Sequence, residues 1–328
     1  MGKIKYLFIS FFSLLLVFLT VGAFPMVSSA KGSAYDIVDA DVDHDNKIVM
    51  IRTDNYVLND YDLTGYWISV EANNVTITNC NTGRITFKPE ITGAVVTGNT
   101  ISVQNDAGVW VNNSNTVVSG NVFLPGMTYG VVLYSVSGCD VSGNDIAGSS
   151  IAGIYAYGSS SCRILNNSLN NVSVSEDEGV ASIHLVNSTG LEVNENTINY
   201  SAQNGIVASA SSNLNICGNH INYNDGDSSI LAEYCQNLII DSNEIKESAH
   251  YGIMIVNDNG SVINKNQVIN SAVKAAGTNH GDGILVEYSD KTNHGDGIWL
   301  SILIKLRLQT MLWTASGQHS QIGAMVLL

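Results

Sequence analysis

Between Val96 and Val268 the chain repeats one arrangement of apolar and polar positions: an aliphatic residue, two small or polar residues, an asparagine, one variable residue and a second apolar one. It reads Val96-TGNT-Ile101, Val118-SGNV-Phe123, Val141-SGND-Ile146, Ile164-LNNS-Leu169, Val193-NENT-Ile198, Ile216-CGNH-Ile221, Ile240-DSNE-Ile245 and Ile263-NKNQ-Val268. The asparagines Asn99, Asn121, Asn144, Asn167, Asn196, Asn219, Asn243 and Asn266 follow one another at steps of 22, 23, 23, 29, 23, 24 and 23 residues. A period in the low twenties carried by alternating apolar residues is that of a solenoid whose turns stack on one another. Ahead of most phrases stands a second alternating run, usually opened by glycine: Gly130-VVLY, Gly153-IYAY, Gly205-IVAS, Gly252-IMIV and Gly283-ILVE, with Ala181-SIHL and Ser229-ILAE as variants. Alternation over four or five positions makes strands and is too short for helices. The pattern predicts an all-β chain, a parallel β-helix of about 22–24 residues per coil. Val131, Ile154, Ile183, Ile206, Ile230, Ile253 and Ile284 then stack in one inward column at the strand spacing of about 4.8 Å.

An asparagine at the same inward place in every coil needs its amide satisfied, since an unpaired buried amide costs about 1–3 kcal/mol. Stacked asparagines bond to one another and to the bent backbone beside them, so the eight are expected to form a structural ladder without chemistry of their own. Turn glycines supply positive φ at no steric cost. Cys80, in Ile77-TNC, takes the ladder position in an early, irregular coil, which sets the start of the regular stack near residue 65. The phrases GIxLxxS and VxxNxI resemble those of right-handed, single-stranded parallel β-helix proteins of the pectin-lyase-like class, over about residues 65 to 290. Within that class they are similar to carbohydrate-binding and sugar-hydrolysing surface β-helices, and to the periplasmic β-helix protein that assists copper-site maturation in nitrous oxide reductase. The resemblance implies the fold and leaves the activity open, because a fold does not dictate a function.

Lys3 and Lys5, the apolar run from Leu7 to Phe24 and the small residues of Val27-SSA-Lys31 make residues 1–30 a secretory leader, cut after Ala30. An apolar run of about 18 residues also suits an uncleaved membrane anchor, the only membrane contact expected. On either reading the body is secreted, periplasmic or on the cell surface. Residues 31–64 read as an N-terminal cap region, 65–300 as the β-helix and 301–328 as an atypical tail. The tail contains no Asn, Asp or Glu and follows a heptapeptide, TNHGDGI, present at 278–284 and again at 292–298. It reads either as a cap strand, from the alternation of Ile302, Ile304, Leu306 and Leu308, or as the product of a shifted frame.

Without the leader, 12 basic residues against 29 acidic ones leave a formal charge of −17, which argues against nucleic acid as a partner. Five cysteines leave at least one unpaired within the chain. Cys139 and Cys162 each precede their ladder asparagine by five residues, so they share an inward column on adjacent coils, as stacked core thiols or as a disulfide.

If the isoleucine of each longer strand points inward, the next residue and the one two beyond point outward. One outer column then runs Trp110, Val132, Tyr155, His184, Val207, Leu231, Met254 and Leu285. A second runs Asn112, Tyr134, Tyr157, Val186, Ser209, Glu233, Val256 and Glu287. Trp110, Tyr134, Tyr155, Tyr157 and His184 thus share one face, and rings on a flat face suit the apolar sides of sugars. Packing under a loop or against another subunit is the alternative. The single long coil, 29 residues, inserts Asn171-VSVSEDEG beside this face, making Glu176, Asp177 and Glu178 candidate ligand contacts on an overhanging loop, or simply a solvated acidic loop.

Catalytic candidates are Glu233, Glu287 and His184. The two glutamates lie two coils apart, about 9.6 Å, at the upper edge of the spacing used by inverting glycosidases. Arg163 is expected to be the only arginine within the regular coils, and a lyase would need such a base. The clustered Asp and Gly-His-Gly motifs of polygalacturonase-like hydrolases and the arginine motifs of pectate lyases are missing. Asp39, Asp41, Asp43 and Asp45 space oxygen ligands as Ca2+ loops do, without the central glycine or distant glutamate of an EF-hand, so an acidic cap strand is the alternative. His184 and Met254 stand three coils apart, too far for one copper ion. The chain is therefore expected to bind polysaccharide or glycan on an outer face. The alternatives are a carbohydrate-active hydrolase, lyase or epimerase on that face, and, beyond these, a metal-site maturation accessory or a structural surface-layer protein.

Overall fold

A computed structural model describes residues 30–174, 180–271, 283–289, 293–294 and 306–308. The chain divides into two units, residues 1–31 and 32–328, and the second holds the fold. The leader, apart from Ala30, lies outside the described residues, as do Glu176, Asp177 and Glu178, most of the duplicated heptapeptide and most of the tail. The described residues from Gly32 on form an all-β, right-handed parallel solenoid. Each regular coil has three strands, for example Ala152–Tyr157, Arg163–Leu165 and Ser168–Asn170. The first kind builds a broad sheet of 13 strands, and the second and third build sheets of 11 strands each.

In-register pairing sets the core. Val131, Ile154, Ile183, Ile206, Ile230, Ile253 and Ile284 are direct neighbours from rung to rung, and the first six are fully buried. The eight asparagines stand at the corner between the second and third sheets. From Asn99 to Asn243, each Nδ2 donates to Oδ1 of the asparagine one coil on, at 2.8–3.0 Å. The backbone N–H of the same residue donates to that same oxygen at 2.9–3.0 Å. Nδ2 also donates to a backbone carbonyl of the preceding coil, such as Val141 for Asn167 at 2.9 Å. Cys80 occupies the foot of the ladder, its N–H donating to Asn99 Oδ1 at 2.9 Å. The residue before each asparagine is left-handed: glycine in four coils, Asn166, Glu195, Ser242 and Lys265 in the others. Thus positive φ at this corner is imposed by the ladder, and glycine only lowers its cost.

The glycines that open the broad strands have a different reason. Gly130, Gly153, Gly205 and Gly252 do not have positive φ. A Cβ at Gly153 would stand 2.5 Å from Leu169 Cδ2, and one at Gly205 2.5 Å from the carbonyl oxygen of Ser229. The broad sheet closes on the third sheet here with no room for a methyl group. Two coils carry serine instead, and its hydroxyl finds a partner across the interior: Ser182 donates to Ser201 Oγ at 3.0 Å, and Ser229 pairs with Ser248 at 2.7 Å.

Three sequence expectations are corrected. Parallel pairing reaches back well before residue 65: Gly32–Ser33 pairs with Tyr61–Asp62, and in the broad sheet Ile48–Ile51 pairs with Trp67–Val70. The inward positions Val49, Ile68 and Ile85 are 19 and 17 residues apart, which hides these coils from a search for one period. Secondly, Arg163 is not the sole arginine of the coils, since Arg52 and Arg84 belong to these early ones. Thirdly, the 29-residue coil has a companion, because Ile253 pairs with Ile284 across 31 residues. Both insertions fall between the third sheet and the broad sheet. Antiparallel strands end the broad sheet, Asp41–Asp43 against Ile48–Met50 and Leu306–Leu308 against Ile284–Val286.

None of the five cysteines is joined in a disulfide. Cys139 and Cys162 are both buried, and the hydrogen bond with Cys162 together with burial pushes the Cys139 thiol up.

Candidate functional site

Parallel in-register pairing puts like positions of successive coils about 4.8 Å apart, close to the separation of contacting aromatic rings. Both outer columns of the broad sheet have the anticipated order: Trp110, Val132, Tyr155, His184, Val207, Leu231, Met254 and Leu285 in one, Tyr134, Tyr157, Val186, Ser209, Glu233, Val256 and Glu287 in the other. The rings form two lines. In one, Trp110 meets Tyr134 at 6.0 Å between centroids and Tyr134 stacks on Tyr157 at 5.4 Å with 14° between planes. In the other, Tyr129 meets Tyr155 at 5.5 Å and His184 sits edge-on to Tyr155 at 5.5 Å.

The rings are not laid flat on the sheet. Planes in van der Waals contact are about 3.5–4.0 Å apart, so the centroid separation of Tyr134 and Tyr157 requires a slide of roughly 4 Å past one another. They overlap like tiles, each with part of a face uncovered, and Tyr134 is 45% exposed. Val132, between Trp110 and Tyr155 in its column, is buried although it points outward. Burial pushes the phenols of Tyr129 and Tyr155 up. It lowers His184 to about 4, so the imidazole is neutral near pH 7.

The Trp110 end of the strip leads into a feature that sequence reading missed. The guanidinium of Arg84 lies 5.1 Å from the Trp67 ring centroid and 5.7 Å from that of Trp110, held between the two indoles. Its Nη1 donates to Asp106 Oδ2 at 2.8 Å, and Asp106 Oδ1 accepts from the backbone N–H of Ala107 at 2.7 Å. Trp67 Nε1 donates to Thr86 Oγ1 at 3.0 Å, fixing the indole. Tyr66, Trp67, Arg84, Gln104 and Asp106 line a groove of about 470 Å³ along the edge between the third and broad sheets. These residues escaped notice because their coils are off the period. Carried back by pairing, the column of Trp110 reaches Thr86 and Ser69, each two residues on from Arg84 and Trp67 and so on the same side of its strand.

Other sequence candidates lie elsewhere. Glu233 and Glu287 are two rungs apart with Val256 between them, and Glu233 is three rungs from Tyr157, about 14 Å. Arg163 pairs with Asp140 one coil away on the second sheet, so it faces away from the rings. The four N-terminal aspartates do not converge. Asp41 pairs with Arg52, while Asp43 accepts from the backbone N–H groups of Asp45 and Asn46 at 3.1 and 2.9 Å and so shapes the hairpin turn. Among the described residues no three His, Cys, Asp or Glu side chains come together as a metal site.

The chain matches the family described as right handed beta helix region over residues 61–169 and 129–301. No curated protein matches it by sequence. Among solved structures it is similar to the A-module of the mannuronan C-5 epimerase AlgE6 of Azotobacter vinelandii, with 15% identity, 75% of each chain covered and a TM-score of 0.55. It is also similar to a double mutant of the periplasmic alginate epimerase AlgG, with 12% identity over 77% of this chain and 79% of the other and a TM-score of 0.53. At these identities the likeness is one of fold.

Proposed function

This chain belongs to the right-handed β-helix family, and on that premise we propose that it binds a polysaccharide or other glycan along the outer face of its broad sheet. The observation that carries this reading is the continuity of the aromatic contacts. From Trp67 through Arg84, Trp110, Tyr134 and Tyr157 each group touches the next, and Tyr129, Tyr155 and His184 run beside them. The path crosses six rungs from Trp67 to His184, about 24 Å, which fits an extended chain better than a single small molecule. Rings contribute apolar faces while phenol, imidazole and guanidinium groups at their edges answer sugar hydroxyls. The AlgE6 and AlgG proteins, named as epimerases of mannuronan and alginate, put the same fold to work on polysaccharides. The leader-like N-terminus supports, for this reading, a secreted, periplasmic or surface protein.

A glycan array on the purified protein tests this, with product analysis of every hit. Binding without products, weakened roughly tenfold or more by Tyr134→Ala with Tyr157→Ala, is the expected result. Products would favour the second reading, hydrolysis by Glu233 and Glu287, whose spacing suits inversion. Alanine at either glutamate would then abolish turnover and leave binding intact. Silence across the array would defeat both readings.

A further inference from the structure

We infer that the groove around Trp67, Arg84 and Asp106 is an end subsite of the glycan path and that it selects an uncharged sugar unit over a uronic acid; this rests on the glycan-binding reading above. Three features of the groove point the same way. The charge of Arg84 is already compensated, since its Nη1 donates to Asp106 Oδ2 at 2.8 Å, so an arriving carboxylate meets an ion pair rather than a free cation. Asp106 is 41% exposed and each of its oxygens accepts one bond within the protein, which leaves lone pairs for sugar hydroxyls and repulsion for an anion. Thirdly, the chain carries a formal net charge of −15, which opposes approach of a polyanion at low salt.

The remaining walls suit a pyranose ring. Trp67 is 40% exposed and its indole is fixed through Thr86, so it presents a rigid apolar surface. The groove volume of about 470 Å³ lies in the ordinary range for small-ligand sites. Arg84 joins the groove to the strip, because its guanidinium meets Trp67 on one side and Trp110 on the other. A chain lying over Tyr157, Tyr134 and Trp110 therefore ends against Trp67, with its last unit between the indole and the Asp106 carboxylate.

The test titrates neutral and uronic oligosaccharides into the full-length protein and into Trp67→Ala, Asp106→Asn and Tyr157→Ala, at low and high salt. The expected result is binding of neutral oligosaccharides that changes little with salt and falls roughly tenfold in both groove variants. Asp106→Asn keeps the side chain's shape and frees the charge of Arg84, so it should also gain affinity for uronic oligosaccharides, an effect that loss of structure would not produce. If Tyr157→Ala weakens binding while both groove variants bind as the parent does, the subsite is wrong and the glycan reading stands. Preference of the parent protein for uronic chains overturns the selectivity in the same way. Binding of neither class overturns both.

Discussion

Two titratable side chains on this solenoid, the half-buried His184 and the buried Asp258, have opposite pH signatures. His184 is held at about 4 by burial, below the ordinary histidine value near 6.5. The folded state therefore binds fewer protons than the unfolded chain between those values. Its contribution to stability is complete above the unfolded pKa and is lost as pH falls toward about 4, a change of no more than about 3 kcal/mol. His184→Gln should flatten the fall in melting temperature across that interval relative to the parent protein. Asp258 is raised by burial, its carboxyl enclosed at 2% exposure. Here the protonated form suits the fold, so stability is present below the unfolded value near 3.9 and is lost as pH rises through the raised folded value. Asp258→Asn should raise the melting temperature at neutral pH, and the gain should vanish as the solution is acidified. An unchanged melting temperature for both variants across the range would remove this account.

Strands of two to six residues are too short to hold alone, and each depends on the rung above and below. The asparagine corner joins them: replacing Asn167 by alanine orphans the backbone N–H of Asn144, takes from its Nδ2 one of two acceptors, and leaves the Val141 carbonyl and Asn196 Oδ1 short of a donor. At about 1–3 kcal/mol for an unsatisfied buried group, Asn167→Ala should lose about 3 kcal/mol or more in chemical denaturation. The same change at Asn266, half-buried on the last ladder rung, should cost clearly less. The ladder was legible in the sequence because one asparagine recurs at a steady step. The reason for the strand-opening glycines was not, because the clash at Gly153 involves Leu169 and Ser182, which only pairing of sheets brings near.

Contacts in the solenoid unit run overwhelmingly from coil to coil, so its stability is expected to be graded along the axis. Amide exchange should be slowest in the broad strands from Tyr129–Tyr134 to Ser228–Glu233 and faster at Ile48–Ile51 and Ile284–Glu287, where one neighbour is an antiparallel end strand. Uniform protection along the stack would contradict that picture. Repetition was enough to reveal the coil, the inward isoleucine column, the ladder and the two outer columns, because a residue 22–24 positions on meets the same surroundings one strand spacing away. Where coils depart from the period, as at the steps of 19 residues from Val49 to Ile68 and 17 from Ile68 to Ile85, neighbours are chosen by hydrogen-bonded pairing and not by distance along the chain. Trp67 and Arg84 come from such coils and Asp106 from the regular one that follows, and whether their side chains converge depended on how those unequal lengths closed. The overlap of Tyr134 with Tyr157 arose likewise, since alternation says which side of a strand a ring leaves by, and only packing against its neighbour sets its tilt.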